Sequence, residues 1–530
     1  GNNFYQLRVG SRDVKAPRDT VNLLVALNME SVDIHRSSLD ANGIVLFDGE
    51  NSSEIKNTFR RIQVPFKEIA EERGGSDTYA NSVAAGCLTE CVGIQSKLYL
   101  GEVMKVIFGS KGDKAVDNNI KAAEAGYEYA SDIRSDSGEE TGYVTVSHNN
   151  RTGPLVMNGN EAIALGAIKA GCGFYSAYPM TPSTGIMNTI VHFADRFDIV
   201  VEQAEDEIAA VNMAIGASFA GVRAMTATSG GGFALMTEGL SLAAMTETPI
   251  VIVDAQRPAP ATGFPTRTEQ GDLDLVIHGG HGEFARAVFA PGSIEQAFRL
   301  SFRAFDLAEK YQIPVVILTD QYLADSARDL RIDGHKNLKA QKYIISKEKG
   351  DTITEYKRFE LTDDGISPRA VPSRIQDVIY ADSDEHTEKG HITEDGKIRN
   401  HMVDKRLRRK MNGLKDCIMS PESGNLEHAD VILVGFGSTQ GVIREVSDRH
   451  PDLKAGYVHL PQVWPFPAEE FIDLCSERSG LVTVENNAGA QLARLIRRET
   501  GIEVSGSILK YDGRPFTVYG LTARIEKEVR

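Results

Sequence analysis

Apolar residues in this chain fall into short unbroken runs separated by stretches with helical spacing. Between Val156 and Leu330 the runs are Cys172–Ala177, Asp198–Glu202, Val222–Thr228, Pro249–Asp254 and Pro314–Thr319. Such runs, rich in β-branched residues and bounded by Gly or Pro, predict strands buried on both faces. Asn160–Ala170 and Ser183–Phe193 have the spacing of helices. Strand alternating with helix predicts βαβ units on a parallel sheet. The same grammar marks Val21–Asn28 and Gly43–Asp48 near the start, and Asp430–Gly437, Ala455–Leu460 and Gly480–Glu485 near the end. The expected fold class is therefore α/β throughout.

In a parallel sheet every loop that follows a strand opens on one edge, where ligands bind. Four loops meet that condition here: Tyr178–Thr181, Glu205–Glu207, Ser229–Gly232 and Arg257–Arg267. Thr181 stands where a helix N-cap belongs, with Pro182 at the first helical position. Glu202, Glu205, Asp206 and Glu207 cluster at a helix start, where acids complement the dipole. Arg267 lies in a Pro- and Thr-rich loop, and its guanidinium fork matches a carboxylate bidentately. Ser229 and Gly230 belong to a Gly-rich loop that could cradle a ligand but lacks the Gly-Lys-Ser/Thr ending of a phosphate loop.

Length and charge narrow the class. A chain of 530 residues accommodates about three domains. Its formal charge of −16 argues against general nucleic-acid binding and for a cytoplasmic protein. No run has transmembrane length and no signal peptide is seen, so no membrane contact is expected. The visible start lacks Met and enters a strand-like segment directly, as if an upstream piece were missing. Five scattered cysteines fit a reducing compartment, and none form a cluster-binding run.

Tyr178-Pro-Met-Thr-Pro-Ser-Thr184 resembles the signature loop of 2-oxoacid:ferredoxin oxidoreductases, on the chain carrying their pyrimidine-binding domain. The resemblance continues through Thr226-Ala-Thr-Ser-Gly-Gly-Gly-Phe233, Phe264-Pro-Thr-Arg-Thr-Glu-Gln-Gly-Asp272, Asp320-Gln-Tyr-Leu-Ala-Asp-Ser326 and Val484-Glu-Asn-Asn-Ala488. It implies a γ-type α/β domain over 1–145, a linker over 146–155 and a pyrimidine-binding (α) domain over 156–330. A charged connecting region over 331–427 and a transketolase C-terminal-like domain over 428–530 follow.

The resemblance also implies roles. Glu207, in register with Gly216-Ala-Ser-Phe-Ala-Gly221, is similar to the glutamate that activates thiamine diphosphate, with Glu205 as second choice. Thr181 and Arg267 match the residues that hold the 2-oxoacid carboxylate, with Tyr178, Pro179 and Met180 beside them. Ser229 and Gly230 are the remaining cofactor-side candidates, and no metal site is expected on this chain. No Gly-Asp-Gly precedes Asn486-Asn487, so the family pattern assigns the diphosphate site, Mg2+ and a 4Fe-4S cluster to a separate β subunit. The implied reaction is oxidative decarboxylation of 2-oxoglutarate to succinyl-CoA with reduction of ferredoxin, or its reverse, in an (αβ)2 assembly. Pyruvate or branched 2-oxoacids are the alternative substrates, and a non-catalytic α/β scaffold is the alternative class.

Three further features have plain expectations. His386 and His391 fit no closed zinc pattern. Lys405-Arg-Leu-Arg-Arg-Lys410 reads as a solvated helix face, with a phosphate or ferredoxin contact as the minority reading. Gly435, Gly437 and Gly441 nearly imitate a dinucleotide fingerprint, with the last gap too long.

Overall fold

The computed structural model describes residues 4–49, 59–94, 97–136, 155–372, 374–476, 478 and 480–528. The linker expected over 146–155 lies, except for Leu155, outside the described residues. The chain divides into two compact units, Gly1–Val14 with Arg18–Thr152, and Lys15–Pro17 with Gly153–Arg530.

In the first unit, β1 (Val21–Ala26), β2 (Leu39–Phe47) and β3 (Arg60–Gln63) form a parallel sheet. Two helices, Ala80–Cys91 and Asp113–Asp136, cross at Gly86 and Gly126. A Cβ on either glycine would strike the other helix's backbone, so only glycine permits this approach. Cys87 and Cys91 lie buried on that first helix, and burial pushes both thiols up to about 12, which leaves them inert.

The second unit holds two larger sheets. Its strands are β4 (Leu155–Asn158), β5 (Phe174–Ala177), β6 (Val200–Gln203), β7 (Ala224–Thr228), β8 (Ile250–Gln256), β9 (Ala287–Phe289), β10 (Pro314–Asp320) and β11 (Ala327–Leu330). They continue with β12 (Glu422–Gly424), β13 (Val431–Phe436), β14 (Ala455–Leu460), β15 (Gln462–Trp464), β16 (Leu481–Glu485) and β17 (Gly506–Leu509). The first sheet runs β15-β9-β10-β8-β7-β5-β6, all parallel except β15, and the second runs β12-β14-β13-β16-β17. Every residue of β8 and β10 is buried, as unbroken apolar runs require when helices cover both faces.

Strand β15 comes from the last segment of the chain yet completes the edge of the first sheet, pairing Gln462 with Phe289. A single apolar cluster also joins Ile252 and Phe233 of the first layer to Val434 and Phe436 of the second. The two sheets therefore share a core.

The basic run departs from its expectation. Lys405, Arg406 and Lys410 are buried, not solvated, and Arg409 donates to the Thr362 carbonyl. Lys405 Nζ and Lys410 Nζ lie 2.5 and 2.6 Å from the two oxygens of the buried Glu247 carboxylate. Arg358 Nη2 donates to the Glu247 carbonyl at 2.6 Å. Only the tertiary fold brings Glu247 to meet these cations, and without it the run would need water. His386 also packs inside, its ring 4.0 Å from that of Phe359, and its Nδ1 is paired with the Asp384 carbonyl. Among the described residues no group of three or more His, Cys, Asp or Glu could hold a metal ion, and no helix is long and apolar enough to cross a membrane.

Candidate functional site

Asp206 caps the helix Glu207–Phe219, its side chain accepting from the Ala209 amide at 2.7 Å. With the cap on Asp206, the next side chain turns inward. Glu207 is 3% exposed and its Oε1 has no hydrogen-bond partner, whereas Glu205 is exposed. The Glu207 carboxyl lies against Gly232, where an added Cβ would stand 2.5 Å from Oε1 and collide with Thr228 Oγ1. A buried acceptor without a donor is costly, so such a group calls for a partner, such as a ligand or a water.

The Gly-rich segment is not a loop. Strand β7 ends at Thr228, Ser229 takes the cap position, and Gly230–Met245 is helical from its first glycine. The reason is close approach: Gly230 backs onto the Asp272 carboxyl as Gly232 backs onto Glu207. Ser229 Oγ and Thr226 Oγ1 are buried beside them without partners.

Thr181 is likewise not an N-cap. The Met180 carbonyl accepts from Ser183 Oγ at 2.8 Å and from the Thr184 amide at 3.1 Å. That closes a turn over 181–183, with a cis Thr181–Pro182 peptide, and the helix starts at Thr184. Displacement from the helix leaves Thr181 exposed on the rim, next to exposed Tyr178 and half-buried Pro179 and Met180. Arg257 Nη1 donates to the Thr181 carbonyl at 2.8 Å, fastening the loop after β5 to the loop after β8. Arg267, half-buried, lies farther along that second loop, its amide bonded to the Phe264 carbonyl at 3.1 Å.

Residues that sequence reasoning passed over complete the region. Asp254, at the buried carboxyl end of β8, has two oxygens without donors, and Asp272 has one. Burial first, then Asp272, pushes the Asp254 carboxyl well above the usual range; burial also raises Asp272, against the pull of Arg257. Glu269 is raised to about 7 by burial and by Asp272. A signal existed: Asp254 closes an unbroken apolar run, where a charge cannot reach water.

These raised values fix a sign. The folded state holds protons that the unfolded chain has released, so this region destabilises the fold as pH rises from about 4 through 7. Asp254→Asn removes one charge and adds a permanent donor. It is expected to raise the urea midpoint at pH 8 by the equivalent of ~1–2 kcal/mol, the gap closing towards pH 4. An equal gap at both pH values would contradict the raised Asp254 carboxyl.

Three comparisons bear on this arrangement. Family models match residues 165–405 (pyruvate flavodoxin/ferredoxin oxidoreductase, thiamine diphosphate-binding), 1–129 (pyruvate ferredoxin/flavodoxin oxidoreductase) and 429–520 (pyruvate:ferredoxin oxidoreductase core domain II). A 2-oxoacid:ferredoxin oxidoreductase α subunit from Sulfurisphaera tokodaii is 40% identical over 68% of the chain, a match that spans 59% of that protein's length. A second such subunit, from Aeropyrum pernix, is 32% identical over 98% of the chain and 90% of its own length. The 2-oxoglutarate synthase subunit KorA of Methanothermobacter thermautotrophicus is 35% identical over 65% of the chain and 91% of its own. Among solved structures, the 2-oxoglutarate:ferredoxin oxidoreductase of Magnetococcus marinus, with 2-oxoglutarate, coenzyme A and succinyl-CoA bound, superposes with a TM-score of 0.87 at 32% identity. That superposition covers 98% of this chain and 90% of the other.

Proposed function

The chain belongs to the 2-oxoacid:ferredoxin oxidoreductases, as a subunit of the α type, and on that premise we propose that it binds and activates thiamine diphosphate for oxidative decarboxylation of a 2-oxoacid. The observation that carries this reading is the Glu207 carboxyl, buried against Gly232 and unpaired at Oε1. That unpaired acceptor suits the cofactor's aminopyrimidine, whose ring nitrogen it would face when the cofactor is bound. When bound, thiamine diphosphate supplies the carbon nucleophile and the electron sink for decarboxylation.

This chain's own residues do the rest. Glu207, shielded from water by its burial, would hold the cofactor's pyrimidine ring through Oε1 and pass a proton there. Thr181 and Arg267 orient the 2-oxoacid carboxylate, with Tyr178, Pro179 and Met180 forming its rim. Arg267 suits the task because a planar guanidinium fork binds a carboxylate through two parallel hydrogen bonds. Ser229 and Gly230 stand at the cofactor side, where the Ser229 hydroxyl has no partner of its own. The substrate we favour is 2-oxoglutarate, with coenzyme A as acyl acceptor and ferredoxin as electron acceptor. Both named relatives of that specificity, the KorA subunit and the Magnetococcus enzyme, support this choice. A β subunit in an (αβ)2 assembly would contribute the diphosphate site, Mg2+ and a 4Fe-4S cluster, and the complex would be cytoplasmic.

Arg267→Ala is expected to raise the KM for the 2-oxoacid roughly 10- to 100-fold, as loss of a charged hydrogen-bond pair does, and to leave the KM for coenzyme A unchanged. Ferredoxin reduction by the complete complex across 2-oxoglutarate, pyruvate and branched 2-oxoacids, with and without coenzyme A, measures both. A raised KM for coenzyme A alone would assign Arg267 elsewhere, and no reduction with any 2-oxoacid would defeat the reading.

A further inference from the structure

In open α/β sheets the carboxyl edge is where a ligand binds. In the second sheet that edge is filled from within. Strand β13 ends at Phe436 and β16 at Glu485, and Phe436, Gly437, Asn486 and Asn487 at these ends meet Gln270, in the segment that follows Arg267. Gln270 is fully buried there. Its amide donates to the Asn486 carbonyl at 2.7 Å, and its Oε1 accepts from the Asn486 amide at 3.0 Å. Gln270 Nε2 donates to the Phe436 carbonyl at 2.9 Å. Asn487 Nδ2 donates to the Gln270 carbonyl at 3.2 Å and to Glu485 at 2.9 Å.

The clamp extends to both sides of Gln270. Upstream, the Thr268 amide donates to the Gly513 carbonyl at 3.3 Å. Downstream, Gln491 Nε2 donates to the Gly271 carbonyl at 2.7 Å and Gln491 Oε1 accepts from the Asp274 amide at 2.9 Å. Gly437, at φ 56, explains the near-fingerprint of glycines: an added Cβ would stand 2.8 Å from Gln270 Nε2. That turn therefore serves the neighbouring segment and not a nucleotide.

We propose that the carboxyl edge of the second sheet, through Asn486, Asn487 and Gln270, is a built-in clamp that positions Arg267 and so sets affinity for the 2-oxoacid. This deepens the proposed function and rests on Arg267 holding the substrate carboxylate. Gln270, Asn486 and Asn487 are positioning residues: they touch the loop, not the substrate. The loop is pinned at its start by Arg257 and at its end by the clamp, which leaves the Arg267 segment spanning two fixed points.

The test is a double-mutant cycle in the complete complex, read as KM for 2-oxoglutarate and for coenzyme A. Asn487→Ala should raise the 2-oxoglutarate KM about 10-fold, with kcat at saturation and the coenzyme A KM within about twofold. In an Arg267→Ala background the same change should have no further effect, because the group it positions is gone. Additive effects in that background, or a fall in kcat alone, would mean a general structural role and overturn the clamp. An unchanged KM in Asn487→Ala beside a raised KM in Arg267→Ala would overturn the clamp alone. An unchanged KM in Arg267→Ala would defeat the carboxylate reading and the clamp with it. Gln491→Ala, at the half-buried rim, carries the same expectations and substitutes if Asn487→Ala does not fold.

Discussion

Glu207→Gln is expected to lower turnover by roughly 10²- to 10⁴-fold, the usual contribution of a positioned proton-transfer group, while the complex still assembles. Gln has the shape of Glu, so the space beside Thr228 and Gly232 stays filled and the helix capped by Asp206 is undisturbed. What is lost is the carboxylic group itself, at a buried oxygen without a hydrogen-bond partner. Size-exclusion chromatography and ferredoxin reduction separate the two effects. Near-normal turnover would remove Glu207 from its role and leave Glu205, which is exposed, as the weaker candidate.

Glu247→Gln should produce the largest loss of stability, about 3–5 kcal/mol, as breaking a buried ion pair does. Lys405 and Lys410 would keep their burial but lose the carboxylate that is paired with both ammonium groups. The pH dependence has a definite sign. Burial, outweighing the Glu247 charge, lowers the Lys405 ammonium to about 7, so the folded state binds fewer protons than the unfolded chain above that pH. Stability contributed here therefore rises between about pH 7 and 10. The Glu247→Gln defect should be milder at pH 8.5 than at pH 6.5, where Lys405 must stay charged. A thermal midpoint equal to wild type at pH 6.5 would show that the cluster is not cohesive.

The 405–410 run also shows where sequence reasoning fails. Six residues with five cations look solvated, because nothing nearby in sequence can neutralise them. Glu247 lies far upstream, at the end of the helix Gly230–Met245, and only folding brings it there. The Thr181 cap failed for a local reason, since Met180 accepts two bonds that begin the turn before the helix does. Asn486-Asn487 looked like half of a metal motif without its partner. In the structure the pair binds the main chain and the side chain of Gln270 instead.

The sequence by itself determined the strands, because burial on both faces demands unbroken apolar runs at β7, β8, β10 and β13. It also determined which loops share the first sheet's edge, since parallel strands leave no alternative, whereas Glu207 was singled out by the family resemblance, through its register with Gly216–Gly221, and not by the helix that opens there. Tertiary structure alone decided which acids meet without water, namely Asp254 with Asp272, and which cations are neutralised. It also decided that the second sheet's ligand edge is given to the Arg267 loop. The division has one physical cause. Local spacing fixes hydrogen bonding within an element, whereas the pairing of buried polar groups depends on residues hundreds of positions apart.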